Sequence, residues 1–309
     1  MPYQTQTDMN QLQKYTWLIE TIRRAGKISL DELSDKWERA IENDEGAPLP
    51  RATFNRWKDA VLDMFDIRIA CQRTGGYLYY IENPEDISQN KLKKWMLDTF
   101  AVGIMVGEHL SLKEHILVNE IPSGRMWLTV ILSAIKEKRV LNLTYRAFDR
   151  TQGATFPIAP YCVRLFENRW YAVALNIQRK KVRTYALDRM ENLEATDQKF
   201  RLPSGFSASG YFSNYYGIVT GDSTQPTRIV LRANGNHKHY MNSLPLHHSQ
   251  KLIEDCGEYA DFELNLTPTY DFVMKLLSVG SMVEVLEPLS LRKTMKGWVS
   301  DMYELYKND

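Results

Sequence analysis

The chain has 309 residues, of which 44% are apolar and 25% charged, and its formal net charge is +1. These values are typical of a globular protein with two or three domains. The polar segment Met1–Asn10 lacks the apolar region of an export signal, and the apolar run at Ala101–Val106 is too short to span a membrane. We therefore expect a cytoplasmic protein. Three widely separated cysteines fit neither a disulfide framework nor a zinc site: Cys71, Cys162 and Cys256.

Residues 1–84 predict a winged helix-turn-helix domain. Apolar residues recur at helical spacing from Leu12 to Ile22, and Ser29–Glu32 is a capping box that opens a second helix. A third helix is predicted at Arg51–Phe65. Two strands follow, Ile67–Arg73 and Tyr77–Ile81, joined around a pair of glycines. Three short helices and a hairpin in about eighty residues are the elements of this fold.

The third helix is the candidate recognition helix, because Phe54, Trp57 and Val61 form one buried stripe and leave polar residues on the far side. We expect five residues to meet DNA, four on this helix and one on the wing: Arg51, Thr53, Asn55, Arg56 and Arg73. Met1–Glu82 carries eleven basic and thirteen acidic residues, so a protein-interaction module is the alternative. The segment Arg51–Arg73, with five basic and three acidic residues, favours DNA.

Residues 85–122 predict a helical linker. Leu92–Leu110 has apolar residues along one side, and Ile121–Gly124 is a second break in the chain.

Residues 123–205 predict a β module preceded by a helix. Arg125–Arg139 is amphipathic and leads into a strand at Val140–Phe148. Three alternating runs then predict an antiparallel meander: Tyr161–Phe166, Trp170–Leu175 and Val182–Leu187. The segment Val140–Met190 contains nine basic and only three acidic residues. This excess of positive charge suits an anionic ligand or a single-stranded nucleic acid.

This module resembles the WYL domain of bacterial transcription regulators. The resemblance rests on Asn168–Ala174 followed by Arg183–Met190, with Pro160-Tyr161 upstream. Ala172 stands where the family usually has Leu. The resemblance implies an Sm-like β-barrel, a DNA-binding domain at the N-terminal side, and a homodimer on palindromic half-sites.

Eight residues of the module are candidate ligand contacts. Arg183 is the expected main phosphate contact, because the planar fork of arginine bonds two oxygens at once. Arg164 and Arg189 would assist it, and aromatic rings would stack on bases or share its face: Tyr145, Tyr161, Trp170, Tyr171 and Tyr185. The alternative is a structural Arg183 paired with Asp188 or Glu167.

Residues 206–309 predict a C-terminal α/β domain that helps the chain dimerise. Phe200–Thr224 is predicted as a docked connector, and the elements after it follow the order βαββαβ of a ferredoxin-like unit. Gly280–Arg292 is similar to the C-terminal extension of WYL regulators. The expected fold class is therefore α+β in several domains.

The sequence has no phosphate loop, nucleophile elbow or metalloprotease motif, so we expect no enzyme, metal or cofactor. His237, His239, His247 and His248 do not have the spacing of a zinc site. The expected function is a regulator that binds operator DNA and senses an anionic nucleotide or single-stranded nucleic acid through its WYL domain. The alternative is an accessory factor whose main task is to bind RNA or single-stranded DNA.

Overall fold

A mainly helical unit, residues 1–119, and a sheet-rich unit, residues 120–309, divide the chain. The computed structural model describes residues 3–40, 42–43, 45–82, 84–108, 114–117, 124–148, 150–221 and 225–307. The expected end of the linker helix at Leu110 and the break at 121–123 lie outside these ranges. None of the described helices combines the length and the apolar character that a bilayer crossing requires. The predicted α+β class is confirmed.

The helical unit begins with three helices and a hairpin. Ser29 caps the second helix: its hydroxyl accepts from the Glu32 amide, and the Glu32 carboxylate accepts from the Ser29 amide, as the capping box predicts. The elements of the unit are α1 (Tyr3–Ala25), α2 (Leu30–Glu38), α3 (Arg51–Phe65), β1 (Ile69–Gln72), β2 (Leu78–Ile81), α4 (Pro84–Gln89) and α5 (Lys91–Glu108).

The core of this unit lies where the three N-terminal helices meet the hairpin. Trp37 packs edge-on between Trp17 and Trp57, with ring centroids 4.9 Å apart in both pairs. Phe54 packs on Tyr79 at 4.6 Å, which fixes the hairpin against α3. This core sets the position of α3 and of the turn at the hairpin tip.

The first sheet of the second unit has five antiparallel strands in the order β6-β5-β4-β3-β7, and α6 packs on it. Its elements are α6 (Leu128–Glu137), β3 (Arg139–Tyr145), β4 (Ala154–Phe166), β5 (Arg169–Asn176), β6 (Lys181–Ala186) and β7 (Met190–Lys199). The core residues on the helix side include Ile131, Leu141, Ile158 and Ala172.

The expected Sm-like β-barrel is not closed, because no ladder joins β6 to β7 in the part of the chain that the structure describes. These two edge strands are nevertheless consecutive, joined only by a 3₁₀ turn at Leu187–Arg189. Four residue steps span at most about 14 Å, whereas the edges of a flat five-stranded sheet lie about 19 Å apart. The sheet must therefore curl toward a barrel without closing its last ladder.

The second sheet follows the short helix α7 (Ala208–Phe212) and has four antiparallel strands. Its elements alternate in the predicted order βαββαβ, followed by a last helix: β8 (Thr227–Asn234), α8 (His237–Ser243), β9 (Lys251–Asp255), β10 (Tyr259–Leu266), α9 (Tyr270–Ser278), β11 (Val283–Glu287) and α10 (Leu289–Tyr306). The strand order across the sheet is β11-β8-β10-β9. Phe262 and Phe272 are at the centre of its core.

Candidate nucleic-acid interfaces

Helix α3 presents a polar face with the predicted composition. Phe54, Trp57, Val61 and Phe65 are buried, and the face opposite this stripe is exposed. Four of the five predicted DNA contacts lie on α3: Arg51, Asn55 and Arg56 are exposed, Thr53 is half-buried, and the Arg56 guanidinium donates to the Thr53 hydroxyl at 3.2 Å. The basic residues of α3 occupy its first two turns, the part of a recognition helix that contacts base edges.

The hairpin lies on the same side of the unit as the N-terminal half of α3. Tyr79 of β2 packs on Phe54, and burial raises the pKa of the Tyr79 hydroxyl while the nearby charge of Arg51 opposes that rise. Arg73, the fifth predicted contact, is exposed in the turn between β1 and β2.

The eight predicted ligand residues of the five-stranded sheet divide between its two faces. The cross-strand pairs Ala172↔Tyr185 and Ala174↔Arg183 place Tyr185 and Arg183 on the face that carries the helix-side core. Trp170 shares that face and packs against its core. The pair Arg164↔Tyr171 lies on the opposite, outer face. One ligand cannot use both sets at once.

Arg189 lies beside Tyr145, and two of its guanidinium nitrogens already donate hydrogen bonds within the chain. Its Nε and Nη2 atoms donate to the Arg146 carbonyl at 3.2 and 3.1 Å, and its guanidinium covers the rings of Tyr145 and Phe148. The Tyr145 hydroxyl accepts from the Ala186 amide at 3.2 Å, and its ring packs edge-on against Tyr185. Burial raises the pKa of Tyr145, and the charge of Arg189 opposes this shift.

Arg164 holds a backbone segment on the outer face. Its Nη1 donates to the Gly217 carbonyl at 2.8 Å and its Nη2 to the Tyr216 carbonyl at 3.1 Å, while Phe212 stacks 4.2 Å from the guanidinium. Burial lowers the pKa of Arg164, and the carboxylate of Asp271 opposes the shift. This geometry supports a structural role rather than a phosphate contact.

Two of the predicted stacking residues have little free ring surface. Tyr161 is buried against Phe200 and Phe206. Tyr185 is buried too, and its hydroxyl accepts from the Asn176 amide group at 3.2 Å. Neither ring can stack on a base in this conformation.

Arg183 differs from the other two arginines of the predicted site. It is exposed and makes no hydrogen bond or ion pair in the described part of the chain. The alternative ion pair of Arg183 with Asp188 is not formed. Asp188 pairs with Arg169 instead, with Oδ2 and Nη1 3.7 Å apart. Within the described residues, Arg183 forms no ion pair with Glu167 either. The turn between β5 and β6, just before the strand that carries Arg183, adds Arg179 and Lys180, both exposed.

The connector between the two sheets is docked on both, as its aromatic composition predicts. Besides Arg164, the Thr184 hydroxyl donates to the Ile218 carbonyl at 3.2 Å on the five-stranded sheet. On the other side, Asp271 of α9 accepts from the Ile218 and Val219 amides at 2.7 Å each. The roles of Thr184 and Asp271 were not predicted, because no local sequence pattern marks a residue whose partner is a backbone group 34 or more positions away.

His247 and His248 lie side by side, with ring centroids 4.1 Å apart. His247 is buried, with its Nδ1 at 2.7 Å from the Ser249 hydroxyl and its Nε2 at 2.8 Å from the Ser213 carbonyl. Across the described ranges, His, Cys, Asp and Glu form no group of three or more that could hold a metal ion.

Comparison with known protein families assigns the second unit. The family model of the WYL domain matches residues 126–195, and that of the WCX domain matches residues 225–303. The chain thus contains the WYL domain that its sequence resembles, and a WCX domain follows it. A sequence comparison with curated proteins found no match.

Comparison with solved structures gives matches of low similarity, two of which are described here. Proteasome accessory factor B/C (PafBC) of Arthrobacter aurescens is 17% identical with a TM-score of 0.37, and the similarity covers 93% of this chain. This chain spans 45% of the length of that protein. A CRISPR Cas-related protein is 12% identical with a TM-score of 0.40, over 97% of this chain and 86% of its own.

Proposed function

We propose that the chain is a DNA-binding transcription regulator whose WYL domain senses an anionic nucleotide or a single-stranded nucleic acid. In this proposal residues 1–84 are a winged helix-turn-helix that binds operator DNA. The curled five-stranded sheet is an Sm-like sensor, and the WCX domain, a ferredoxin-like unit, contributes to a cytoplasmic homodimer. The chain carries out no catalysis, and it needs no metal or cofactor.

The observation that carries the proposal is the exposed, basic N-terminal half of α3. A helix that served only the core would have no requirement for Arg51, Asn55 and Arg56 on its free face. Arginine and asparagine side chains can form paired hydrogen bonds with guanine and adenine edges in the major groove. The exposed Arg73 in the adjacent turn is suited to a phosphate, which positions a protein on the duplex without reading its sequence.

Arg183 is the proposed main contact for the sensed ligand. It is the arginine of the three predicted phosphate contacts whose donors are unengaged within the described residues, and Arg179 and Lys180 add charge beside it. Charged residues also protect an edge strand such as β6 from pairing with other chains. A substitution of Arg183 distinguishes the ligand proposal from this protective role.

Arg183→Ala tests the sensor. The exposed side chain contributes little to folding, so the variant should melt with the wild type and bind operator duplex normally. It should lose affinity for a short single-stranded oligonucleotide, measured by fluorescence anisotropy at fixed salt. Arg146→Ala, which removes an equal charge from the same domain, is the matched control. Wild-type affinity in Arg183→Ala would remove this residue from the site.

The alternative function, an accessory factor for RNA or single-stranded DNA, is favoured by the same exposed cations, Arg179, Lys180 and Arg183. The two functions are separated by comparing affinities for duplex from the upstream region of the chain's own gene and for its separated strands. A regulator binds the duplex more tightly and discriminates it from a scrambled duplex. An accessory factor binds the single strands at least as tightly and discriminates neither duplex.

A further inference from the structure

The WCX domain contains a cavity of about 350 Å³ bordered by α8, α9 and the start of β11. This volume lies in the range of pockets that hold small ligands. Its wall is mostly apolar and includes Met241, Leu246, Leu276 and Val283. Protein interiors leave few voids larger than a water molecule, so packing alone does not account for a cavity of this size.

Two large apolar side chains that line this cavity are also open to solvent. Tyr240 is 69% exposed and Leu244 is 78% exposed. The Tyr240 ring lies beside the ring of His237, which also lines the cavity, with centroids 5.9 Å apart. A ligand with an apolar body would remove part of this surface from water, and that burial favours binding.

The charge of the cavity wall is positive and lacks an anionic partner. Lys275 of α9 is half-buried, and among the described residues that line the cavity none is acidic. Lys275 also borders a neighbouring cavity with Glu167 and Asp271, but it forms no ion pair with either within the described structure. Lys238 of the same domain, by contrast, donates to Asp255 at 2.6 Å. A partly desolvated ammonium group is stabilised by an anion.

Tyr216 connects this cavity with the five-stranded sheet. It lines the cavity, and its ring packs on Phe272 of the WCX core and edge-on against Phe166 of β4, at 6.0 and 5.7 Å between centroids. Its carbonyl accepts from Arg164 of the same strand at 3.1 Å. A ligand in the cavity therefore contacts a residue that packs against both sheets.

We propose that this cavity binds a small carboxylate with an apolar body. The body fills the apolar cavity and covers Tyr240 and Leu244, and the carboxylate accepts a hydrogen bond from Lys275. A polyanion such as a nucleic acid does not suit this wall, so the site is distinct from the one proposed around Arg183. The bound acid steadies Tyr216 and with it the junction between the two sheets.

The first test is calorimetric titration of the full wild-type chain with octanoate and with 1-naphthoate, which distinguish an alkyl from an aryl body. One molecule per chain should bind for at least one of these acids. The amide of the acid that binds has the same body without the charge, and it should bind about tenfold more weakly. Raising the salt concentration should narrow this difference, because the ammonium group is partly exposed.

Lys275→Met assigns the carboxylate to its contact. The variant should bind the acid about tenfold more weakly and the amide with unchanged affinity. Lys296→Met, which removes an exposed cation from α10 of the same domain, is the matched control and should bind both as the wild type does. Thermal unfolding checks that both variants fold; if Lys275→Met does not, the comparison of acid with amide on the wild type decides.

Three results would overturn the proposal. Neither acid binds at millimolar concentration, as when a second copy of the chain covers the cavity. Acid and amide bind the wild type equally. A folded Lys275→Met binds the acid with wild-type affinity. Operator binding is measured separately, and none of these results bears on the proposed regulator.

Discussion

Arg164 on β4 and Arg183 on β6 belong to the same sheet, with β5 between them, but their surroundings give them different roles. Arg164 donates to two carbonyl oxygens and lies against an aromatic ring, whereas Arg183 is exposed and unengaged in the described structure. Hydrogen bonds from a charged donor contribute more than neutral ones, and a lost donor leaves carbonyl groups unsatisfied. Residue type alone predicts neither role.

Arg164→Met should therefore lower the stability of the sheet-rich unit by about 2 kcal/mol, since the Tyr216 and Gly217 carbonyls lose their donor. Arg183→Met, the matched control, should change stability by less than about 0.5 kcal/mol. Urea unfolding of both variants checks this. Equal stability of the two variants would contradict the structural role of Arg164.

At the scale of the element, the capping box of α2 makes a pH-dependent contribution. Hydrogen bonds from the backbone and side chain of Ser29 lower the pKa of the Glu32 carboxyl below its ordinary value of 4.5. A group with a lowered folded-state pKa stabilises the fold above its unfolded pKa, and this contribution is lost as the pH falls through the folded value.

Glu32→Ala should thus melt below the wild type at pH 7, because the helix loses its reciprocal cap. The difference in Tm should narrow as the pH falls below about 4.5, once the wild-type carboxyl begins to protonate. Thermal unfolding of both chains from pH 3 to pH 7 measures this. A difference that stays constant over the whole range would show that the carboxylate form is not the stabilising one.

The elements differ in how well their sequences predict them. Helix α3 was predicted at its observed bounds, because its buried residues Phe54, Trp57 and Val61 recur at helical spacing. Strand β4 begins at Ala154, whereas the predicted run begins only at Tyr161. The prediction starts too late because Pro157 and Pro160 argue against a strand. The chain tolerates Pro160 beside a register shift between Pro160 and Cys162. Strand β7 was missed because its sequence, MENLEATDQK, is mostly exposed and lacks clear alternation.

The candidate sites show the same difference between local and long-range information. The exposed face of α3 follows from helical periodicity, so its residues could be selected from the sequence. The separation of Arg164 from Arg183 depends on the register of β4, β5 and β6 and on a connector fifty residues later. Such contacts are set by tertiary structure and leave no periodic signal.

At the scale of the whole molecule, α10 exposes more apolar surface than a surface helix needs. Leu291 is its buried residue, while large apolar side chains remain exposed along its second half: Trp298, Val299, Met302, Tyr303, Leu305 and Tyr306. Helix α5 likewise exposes Leu92 and Val102. Contiguous exposed apolar residues mark interaction surfaces in soluble proteins, and the proposed homodimer would cover them.

We expect light scattering at micromolar concentration to give the mass of a dimer. Met302→Glu should shift the chain toward the monomer without lowering its helical content, because a charge is placed on the exposed apolar face of α10. Lys307→Glu, which changes charge at the end of the same helix, is the control. A monomeric wild type would contradict the homodimer.

The central claim is that α3 reads operator DNA, and footprinting on sites mapped across the genome tests it most directly. The wild type should protect discrete sites, each with two half-sites. The half-sites should be separated by whole helical turns of DNA, at roughly 34 Å per turn. Arg56→Ala should lose roughly 1–3 kcal/mol of specific binding while keeping its fold, and Arg146→Ala should bind these sites as the wild type does. An intact Arg56→Ala variant with wild-type affinity and unchanged footprints would contradict the assignment of α3 as the recognition helix.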